Sequence, residues 1–174
     1  MNTFLIVKAL DFFQRLPMGE IIPFDQLIEW RSNLNSDRSP LVVTNGCFDL
    51  LHVGHVRYLQ QASELGKSLL IGINDDAGVQ KLKGPSRPLN CEGDRAEILS
   101  ALACITAVSI FSGDRAVEFL DAARPDIYVK GGDYTVDDLY PPERAILEKH
   151  ASKIKILPFS PGRSTTNLIE RMKS

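Results

Sequence analysis

Cysteine is scarce in this chain, and the few cysteines present are far apart. The 174 residues include only Cys47, Cys91 and Cys104, and there is no Cys-x-x-Cys pair. Three scattered cysteines cannot form the disulfide framework of a small secreted domain, and without the pair nothing points to a zinc site. This composition fits a reducing compartment, so we expect a cytoplasmic protein.

Long apolar runs and an excess of positive charge are also missing. The apolar start Phe4-Leu5-Ile6-Val7 is interrupted by Lys8, and no small-residue cleavage site follows it, so it predicts neither a membrane span nor a signal peptide. The 20 basic and 22 acidic residues give a formal net charge of -2. We therefore expect no membrane and no nucleic acid among the partners, and any polyanion must bind at a local site.

The hydrophobic pattern predicts one domain with a short extension before it. Residues 1–39 carry two short helical patterns, at about 3–15 and 24–34, and we assign them to an N-terminal helical extension. Residues 40–174 form the main domain, in which apolar strands alternate with helical segments. Five strands are expected, at Leu41–Thr44, Ser68–Ile73, Ile105–Phe111, Asp126–Val129 and Lys155–Leu157. Near-continuous apolar strands between helices indicate a parallel sheet covered on both faces, that is, a doubly wound, Rossmann-like α/β fold.

Four polar, glycine-bearing clusters fall directly after predicted strands. In doubly wound folds the ligand lies at the carboxyl ends of the strands, beside helix N-termini with free backbone N–H groups. The first cluster runs from Asn45 to His55 and contains two of the three histidines. The spacing of His52 and His55, with Gly54 between them, places both imidazoles near one side of a first helical turn and leaves room for a phosphate. The alternative is a pair of half-buried histidines at a helix start.

The string Gly-x-Phe-Asp-x-x-His-x-Gly-His in this cluster resembles the signature of the cytidylyltransferase-like nucleotidyltransferases. The resemblance implies that His52 and His55 contact a nucleoside triphosphate and stabilise charge as its α-phosphate is attacked. It also implies that Gly46, Cys47 and Phe48 pass beside the nucleotide through their backbone. Asp49 matches the aspartate of this motif, although it could equally fix the turn by accepting backbone N–H bonds.

The second cluster contains lysines suited to a pyrophosphate leaving group. Asn74-Asp75-Asp76 follows the second strand, and one of its aspartates could simply cap the next helix. By resemblance Lys83, with Lys81 as second choice, supports the phosphates, although a solvated charge run is the plain alternative. Arg95 resembles an arginine of the same family, but it could also form an ion pair on a helix surface.

The last two clusters add glycines and hydroxyls. Gly131 and Gly132 let the backbone approach a base or ribose, and Asp133 could accept hydroxyl or amino protons, or cap a turn. The final cluster opens a predicted helix from about residue 165, and its guanidinium and hydroxyls suit a phosphate at a helix N-terminus. It consists of Arg163, Ser164, Thr165 and Thr166.

Taken together, the four clusters resemble the D-glycero-D-manno-heptose 1-phosphate adenylyltransferases within that family, chiefly through Lys130-Gly131-Gly132-Asp133-Tyr134. The resemblance implies transfer of AMP from ATP to a sugar 1-phosphate with release of pyrophosphate, and a homodimer. Mg²⁺ is the expected cofactor, carried by the nucleotide phosphates rather than by a protein cage. Tyr140–Arg144 and Asn90–Gly93 depart from the pattern of that group, and both are candidates to line the acceptor side.

Two other functions stay open on the sequence alone. The first is a cytidylyltransferase acting on glycerol 3-phosphate or a similar phosphate ester, because backbone contacts to a base leave little trace in side chains. The second is a nucleotide-binding module without turnover, with residues 1–39 as its partner surface. A dehydrogenase is disfavoured, since the first turn lacks Gly-x-Gly-x-x-Gly.

Overall fold

Six parallel strands form one sheet in the computed structural model, which describes residues 18–132 and 135–158. Their order across the sheet is β1-β4-β3-β2-β5-β6. The strands are β1 (Glu20–Ile21), β2 (Leu41–Gly46), β3 (Ser68–Asn74), β4 (Ala107–Phe111), β5 (Ile127–Gly131) and β6 (Lys153–Leu157).

Six α-helices and two short 3₁₀ helices connect these strands in the described residues. The helices are α1 (Leu27–Ser32), α2 (Val53–Ser63), α3 (Asp76–Lys83), α4 (Glu92–Ser100), α5 (Val117–Ala123) and α6 (Pro141–Lys149), with 3₁₀ turns at Phe24–Gln26 and Val136–Asp138. The alternation of parallel strands and helices confirms the predicted doubly wound, Rossmann-like α/β fold.

The strand count differs from the prediction by one, because five strands were expected and the described residues form six. The additional strand, β1, lies within the segment that we assigned to the extension and pairs with β4. The backbone N–H of Glu20 donates to Thr106 at 2.9 Å, and that of Ile22 donates to Val108 at 2.8 Å. A strand of two residues is too short to show an alternating pattern, so periodicity could not reveal it.

The core lies on both faces of the sheet, which explains why the strands are apolar throughout. Leu41, Val43 and Tyr128 pack on one face with α5 and α6, whereas Val42 and Val129 pack on the other face with α2 and α4. All seven residues of β3 are buried. The chain winds outward in both directions from β2, so β2 and β5 flank the point where a doubly wound sheet binds its ligand.

Several sequence predictions lie outside the described residues. They are the helical pattern at 3–15, Asp133, the cluster Arg163–Thr166 and the helix from about residue 165. Within 18–132 and 135–158, the structure contains no helix with the length and apolar character needed to cross a bilayer.

Candidate functional site

The loop after β2 carries the two histidines to the carboxyl end of the sheet. His52 is the N-cap residue of α2, and its Nδ1 accepts the backbone N–H of Gly54 at 3.1 Å. Because Nδ1 acts as an acceptor, the geometry assigns the ring proton to Nε2, which remains a donor. The sequence prediction that this cluster opens a helix is therefore confirmed.

The imidazoles of His52 and His55 stack on one another. Their ring centroids are 3.9 Å apart with an interplanar angle of 24°, and the Phe48 ring lies 5.3 Å from that of His55. Burial, together with the neighbouring His52 and Lys83, lowers the pKa of His55 to about 4. His55 is therefore neutral near pH 7, so it can act as a hydrogen-bond donor without carrying a full charge.

The loop between β2 and α2 is tightly constrained. Phe48 adopts a positive φ of 44°, which few non-glycine residues do. A side chain at Gly46 would place its Cβ 3.1 Å from the Phe48 ring, so the ring would have to move. The backbone of Gly46, Cys47 and Phe48 thus lies next to the histidines, and its contact with a nucleotide stays a prediction.

Arg95 on α4 holds this loop in place through a hydrogen bond to its backbone. Its guanidinium is fully buried and donates to the Cys47 carbonyl at 2.7 Å and to the Asn90 carbonyl at 3.1 Å. It also pairs with Asp76 at 2.7 Å. The alternative of an ion pair on a helix surface is therefore wrong for Arg95, because burial and these carbonyl contacts make it a positioning residue for the loop.

The side chain of Asp49 is buried inside the protein. Its buried Oδ1 accepts the backbone N–H groups of Leu89 at 2.7 Å and Asn90 at 3.3 Å. It also forms an ion pair with Arg87. Asp49 thus ties the histidine loop to the segment that precedes α4. It accepts backbone N–H bonds, as the alternative raised from the sequence supposed, but the donors lie 40 and 41 residues away rather than in its own turn.

The two candidate lysines differ in their surroundings. Lys83 is exposed at the end of α3 and is near enough to influence the pKa values of both His55 and Cys47. Lys81 instead forms an ion pair with Asp114 at 2.7 Å. The structure therefore brings Lys83 to the histidines and directs Lys81 toward the loop after β4. Asp75 caps α3 by accepting the Gly78 N–H at 2.7 Å, the role the sequence left open for it.

The glycines after β5 lie where the sequence placed them, beside β2 at the carboxyl edge of the sheet. Gly131 ends β5, and Gly132 has a φ of 131° and donates its N–H to Leu157 at 3.0 Å. A φ in this range favours glycine. Asp133, Arg163, Ser164, Thr165 and Thr166 lie outside the described residues, so their assignment to the nucleotide stays a prediction.

At this edge Asn45 and Lys130 received no individual role from the sequence, and Glu143 was named only within Tyr140–Arg144, a candidate segment for the acceptor side. Lys130 is next to two glycines at a strand end, which is a usable signal. Glu143 carries none, because a glutamate in the first turn of a helix is typical of a solvent-exposed position. The structure buries it to 6% exposure, in a pocket whose lining also includes Gly46 and Cys47 of the histidine loop.

Four of the acidic side chains near the site are already engaged. Asp49, Asp75, Asp76 and Asp114 each accept a hydrogen bond or ion pair described above. Among residues 18–132 and 135–158, no three histidine, cysteine or acidic side chains form a group able to hold a metal ion.

Comparison with known proteins identifies the class. Residues 43–171 match the protein-family model described as cytidylyltransferase-like. The bifunctional protein HldE of Syntrophotalea carbinolica is 52% identical over 132 residues, covering 76% of this chain and 26% of that protein. HldE of Nitratiruptor sp. is 40% identical over 162 residues, covering 92% of this chain and 34% of that protein. The chain thus spans about a quarter to a third of the length of these curated relatives.

Solved structures support the fold. A lipopolysaccharide core biosynthesis protein from Thermoplasma volcanium has a TM-score of 0.56 at 24% identity, covering 69% of this chain and 95% of that one. A pantoate-beta-alanine ligase from Francisella tularensis has a TM-score of 0.56 at 14% identity, covering 85% and 69% respectively. The fold, the stacked histidines and the family match agree: the chain belongs to the cytidylyltransferase-like family. It is a nucleotidyltransferase enzyme.

Proposed function

We propose that this enzyme transfers AMP from ATP to a sugar 1-phosphate, D-glycero-D-manno-heptose 1-phosphate, to give an ADP-sugar and pyrophosphate. The observation that carries the proposal is the stacked pair of His52 and His55 at the start of α2. The choice of ATP and of heptose rests on the Lys-Gly-Gly-Asp-Tyr sequence at 130–134 and on the similarity to proteins named HldE.

The proposed reaction is a single displacement at the α-phosphorus. A phosphate oxygen of the acceptor forms a bond to that phosphorus, the bond to the bridging oxygen breaks, and pyrophosphate leaves with the electron pair. The acceptor oxygen is already ionised, so no strong base is needed. Catalysis then consists of positioning and charge stabilisation by His52, His55 and Lys83, together with the N-terminus of α2.

In this proposal the two imidazoles donate from their protonated ring nitrogens to phosphate oxygens. Neutral imidazoles suit this role, because they stabilise charge that develops in the transition state without binding the ground-state phosphate as strongly as a cation would. Lys83 is exposed. A lysine is a point charge on a flexible stem, which suits a cation that follows the departing pyrophosphate.

The remaining site residues are assigned to the nucleotide. They are Gly46, Cys47, Phe48, Asp49, Lys81, Gly131, Gly132, Asp133, Arg163, Ser164, Thr165 and Thr166. For Asp49 and Lys81 the contact would be indirect, since Asp49 is bound to the segment at 87–90 and Lys81 to Asp114. Mg²⁺ would be held by nucleotide phosphates and water, where it neutralises phosphate charge. A homodimer and a cytoplasmic location complete the proposal.

The test is pyrophosphate release with Mg²⁺, using ATP or CTP in combination with heptose 1-phosphate, glycerol 3-phosphate or phosphoethanolamine. We expect release with ATP and heptose 1-phosphate only. Release with CTP and glycerol 3-phosphate would assign the chain to the cytidylyltransferase alternative instead. If the protein binds nucleotide but releases no pyrophosphate with any acceptor, the proposed transfer is wrong.

A further inference from the structure

A cleft of about 270 Å³ opens at the carboxyl ends of β2 and β5, between the histidine loop and α6. Cys47 borders it on one side, and Lys130, Tyr140 and Glu143 border it on the other. Pockets for small molecules begin at about 300 Å³. The cleft is therefore close to the size needed for one sugar phosphate, and it shares a wall with the catalytic loop.

Glu143 is buried beside this cleft, and only one of its two carboxylate oxygens accepts a hydrogen bond from the described residues. Its Oε1 accepts the backbone N–H of Ala116 at 2.8 Å, and the residue is 6% exposed. Within the described ranges, Oε2 has no hydrogen-bond partner. An ionised carboxylate oxygen can only accept hydrogen bonds, so Oε2 is available to a ligand that donates.

Lys130 provides a cation with unused donors on the same side. Its Nζ donates to the Tyr128 hydroxyl at 3.5 Å, and that hydroxyl donates to Asn45 at 2.6 Å. Among residues 18–132 and 135–158, no carboxylate lies within ion-pair distance of Nζ. An ammonium has three N–H donors, so at least two remain for an anion. Burial lowers the pKa of Lys130, whereas the nearby Glu143 raises it.

Arg115 also lines the cleft. Its guanidinium lies over the Tyr140 ring, 4.4 Å from the ring centroid. Such a cation–π contact fixes the charge at the opening. The cleft thus has two cations, Lys130 and Arg115, and one buried carboxylate, Glu143. Two further carboxylates line it, of which Asp114 is paired with Lys81 and Arg115 and Asp138 accepts from Thr135. Cations beside a carboxylate with a free oxygen suit a ligand that has both a phosphate and hydroxyl groups.

We infer that this cleft is the acceptor subsite, in which Glu143 accepts hydrogen bonds from sugar hydroxyls while Lys130 and Arg115 bind the acceptor phosphate. The inference rests on the proposed function, since it needs a hydroxylated phosphate ester as acceptor. A phosphate held by Lys130 lies next to Cys47 and hence beside the loop that carries the histidines. This assigns sugar selection to residues outside the His-x-Gly-His motif.

Glu143→Gln tests the inference with little disturbance of the fold. The glutamine carbonyl can still accept the Ala116 N–H, whereas its NH₂ group replaces the free acceptor with a donor. Loss of a charge-assisted hydrogen bond corresponds to about a 10- to 100-fold decrease in kcat/KM for heptose 1-phosphate. Lys130→Met, which keeps the length and removes the charge, should raise the KM for the acceptor in the same way.

Glu148→Gln is the matched control, because Glu148 lies on the same helix but is 61% exposed and pairs with Arg144. The measurements are KM and kcat for heptose 1-phosphate and for ATP, from pyrophosphate release. We expect a raised acceptor KM in both cleft variants, an unchanged KM for ATP and wild-type kinetics for the control. A merely structural role would change both KM values together.

The two proposals can fail separately. If the wild-type enzyme is active with heptose 1-phosphate but Glu143→Gln keeps its acceptor KM, the subsite is wrong and the proposed function stands. If the wild-type enzyme uses CTP with the same acceptor, the nucleotide proposal is wrong and the subsite is tested with CTP. If no sugar 1-phosphate yields pyrophosphate with the wild-type enzyme, both are overturned.

Discussion

At the scale of single residues, His52 combines two roles, helix capping and phosphate binding, that different substitutions can separate. His52 caps α2 through Nδ1 and is expected to bind phosphate through Nε2, so replacing it with alanine removes both functions. His52→Ala and His55→Ala should each slow turnover by about a hundredfold or more, the size of a lost transition-state donor. Single-turnover and steady-state pyrophosphate release measure the effect.

His52→Asn separates the cap from the chemistry. Asparagine is a good N-cap residue, so this variant should keep the stability of the wild-type protein while losing the Nε2 donor. We expect its kcat to resemble that of His52→Ala, with a urea midpoint close to wild type. Normal turnover in both alanine variants would remove the histidines from the mechanism.

His55 should make stability depend on pH. Its pKa is about 4 in the folded protein against 6.5 as the ordinary value, so between these pH values the unfolded chain binds a proton that the folded protein does not. Stability from this group is therefore complete above about pH 6.5 and is lost as the pH falls toward 4. The expected loss between pH 7 and pH 5 is about 2 kcal/mol.

Urea denaturation of wild type and His55→Asn at both pH values measures this contribution. The variant lacks the titrating ring, so its stability should fall by about 2 kcal/mol less than that of the wild type over the same interval. Equal losses in the two proteins would mean that the folded environment leaves the pKa of His55 near its ordinary value.

At the scale of elements, the shape of the histidine loop depends on polar contacts that link it to the first turns of α3 and α4. Asp76 at the start of α3 pairs with Arg95, and its backbone N–H donates to Glu92 at the start of α4 at 2.7 Å. Arg95 then reaches the Cys47 carbonyl in the loop that precedes α2. The loop therefore keeps its shape through side chains at the starts of α3 and α4.

Arg95→Met should break this junction. It leaves the Cys47 and Asn90 carbonyls and Asp76 without the buried donor they share, so we expect a loss of about 2–4 kcal/mol in the free energy of unfolding. A fall in kcat/KM should accompany it, because the Cys47 carbonyl is no longer held. Arg57→Met, at an exposed position on α2, should have almost no effect on either quantity. Equal effects of both substitutions would show that Arg95 has no special role.

From the sequence, residues placed to contact a ligand were easier to predict than residues that hold the site in position. Histidines and glycines directly after strands point to a site, because the carboxyl edge of a parallel sheet is where ligands bind. Glu143 gave no such signal, since its burial depends on α6 packing against the start of α5, a contact between distant segments. The burial of Arg95 likewise depends on a loop 48 residues away.

At the scale of the whole molecule, the longer strands could be predicted from their hydrophobic pattern, whereas the shortest strand could not. The five strands of the main domain stand out as apolar runs between helical segments. The sixth, β1, is two residues long and is defined only by its partner β4. Its presence raises the question of whether the segment before residue 40 is an appendage or part of the cooperative unit.

Leu27 in α1 decides between these possibilities. It is fully buried and belongs to the same core cluster as Leu41, Val43 and Phe119. If this segment folds with the sheet, Leu27→Ala should lower the free energy of unfolding of the entire domain by about 2–4 kcal/mol, through lost burial and a cavity. Ile28 is the matched control, because it is the next residue and is 51% exposed.

Urea unfolding followed by both circular dichroism and tryptophan fluorescence provides the measurement, since Trp30 lies in α1 and is the only tryptophan in the chain. We expect one transition, coincident by both probes, that Leu27→Ala shifts to lower urea and Ile28→Ala leaves nearly unchanged. An early fluorescence transition, followed by unfolding of the sheet at the wild-type urea concentration, would instead make residues 18–39 an extension that folds independently. In that case β1 contributes little to the stability of the nucleotide site, and its pairing with β4 serves only to attach the extension.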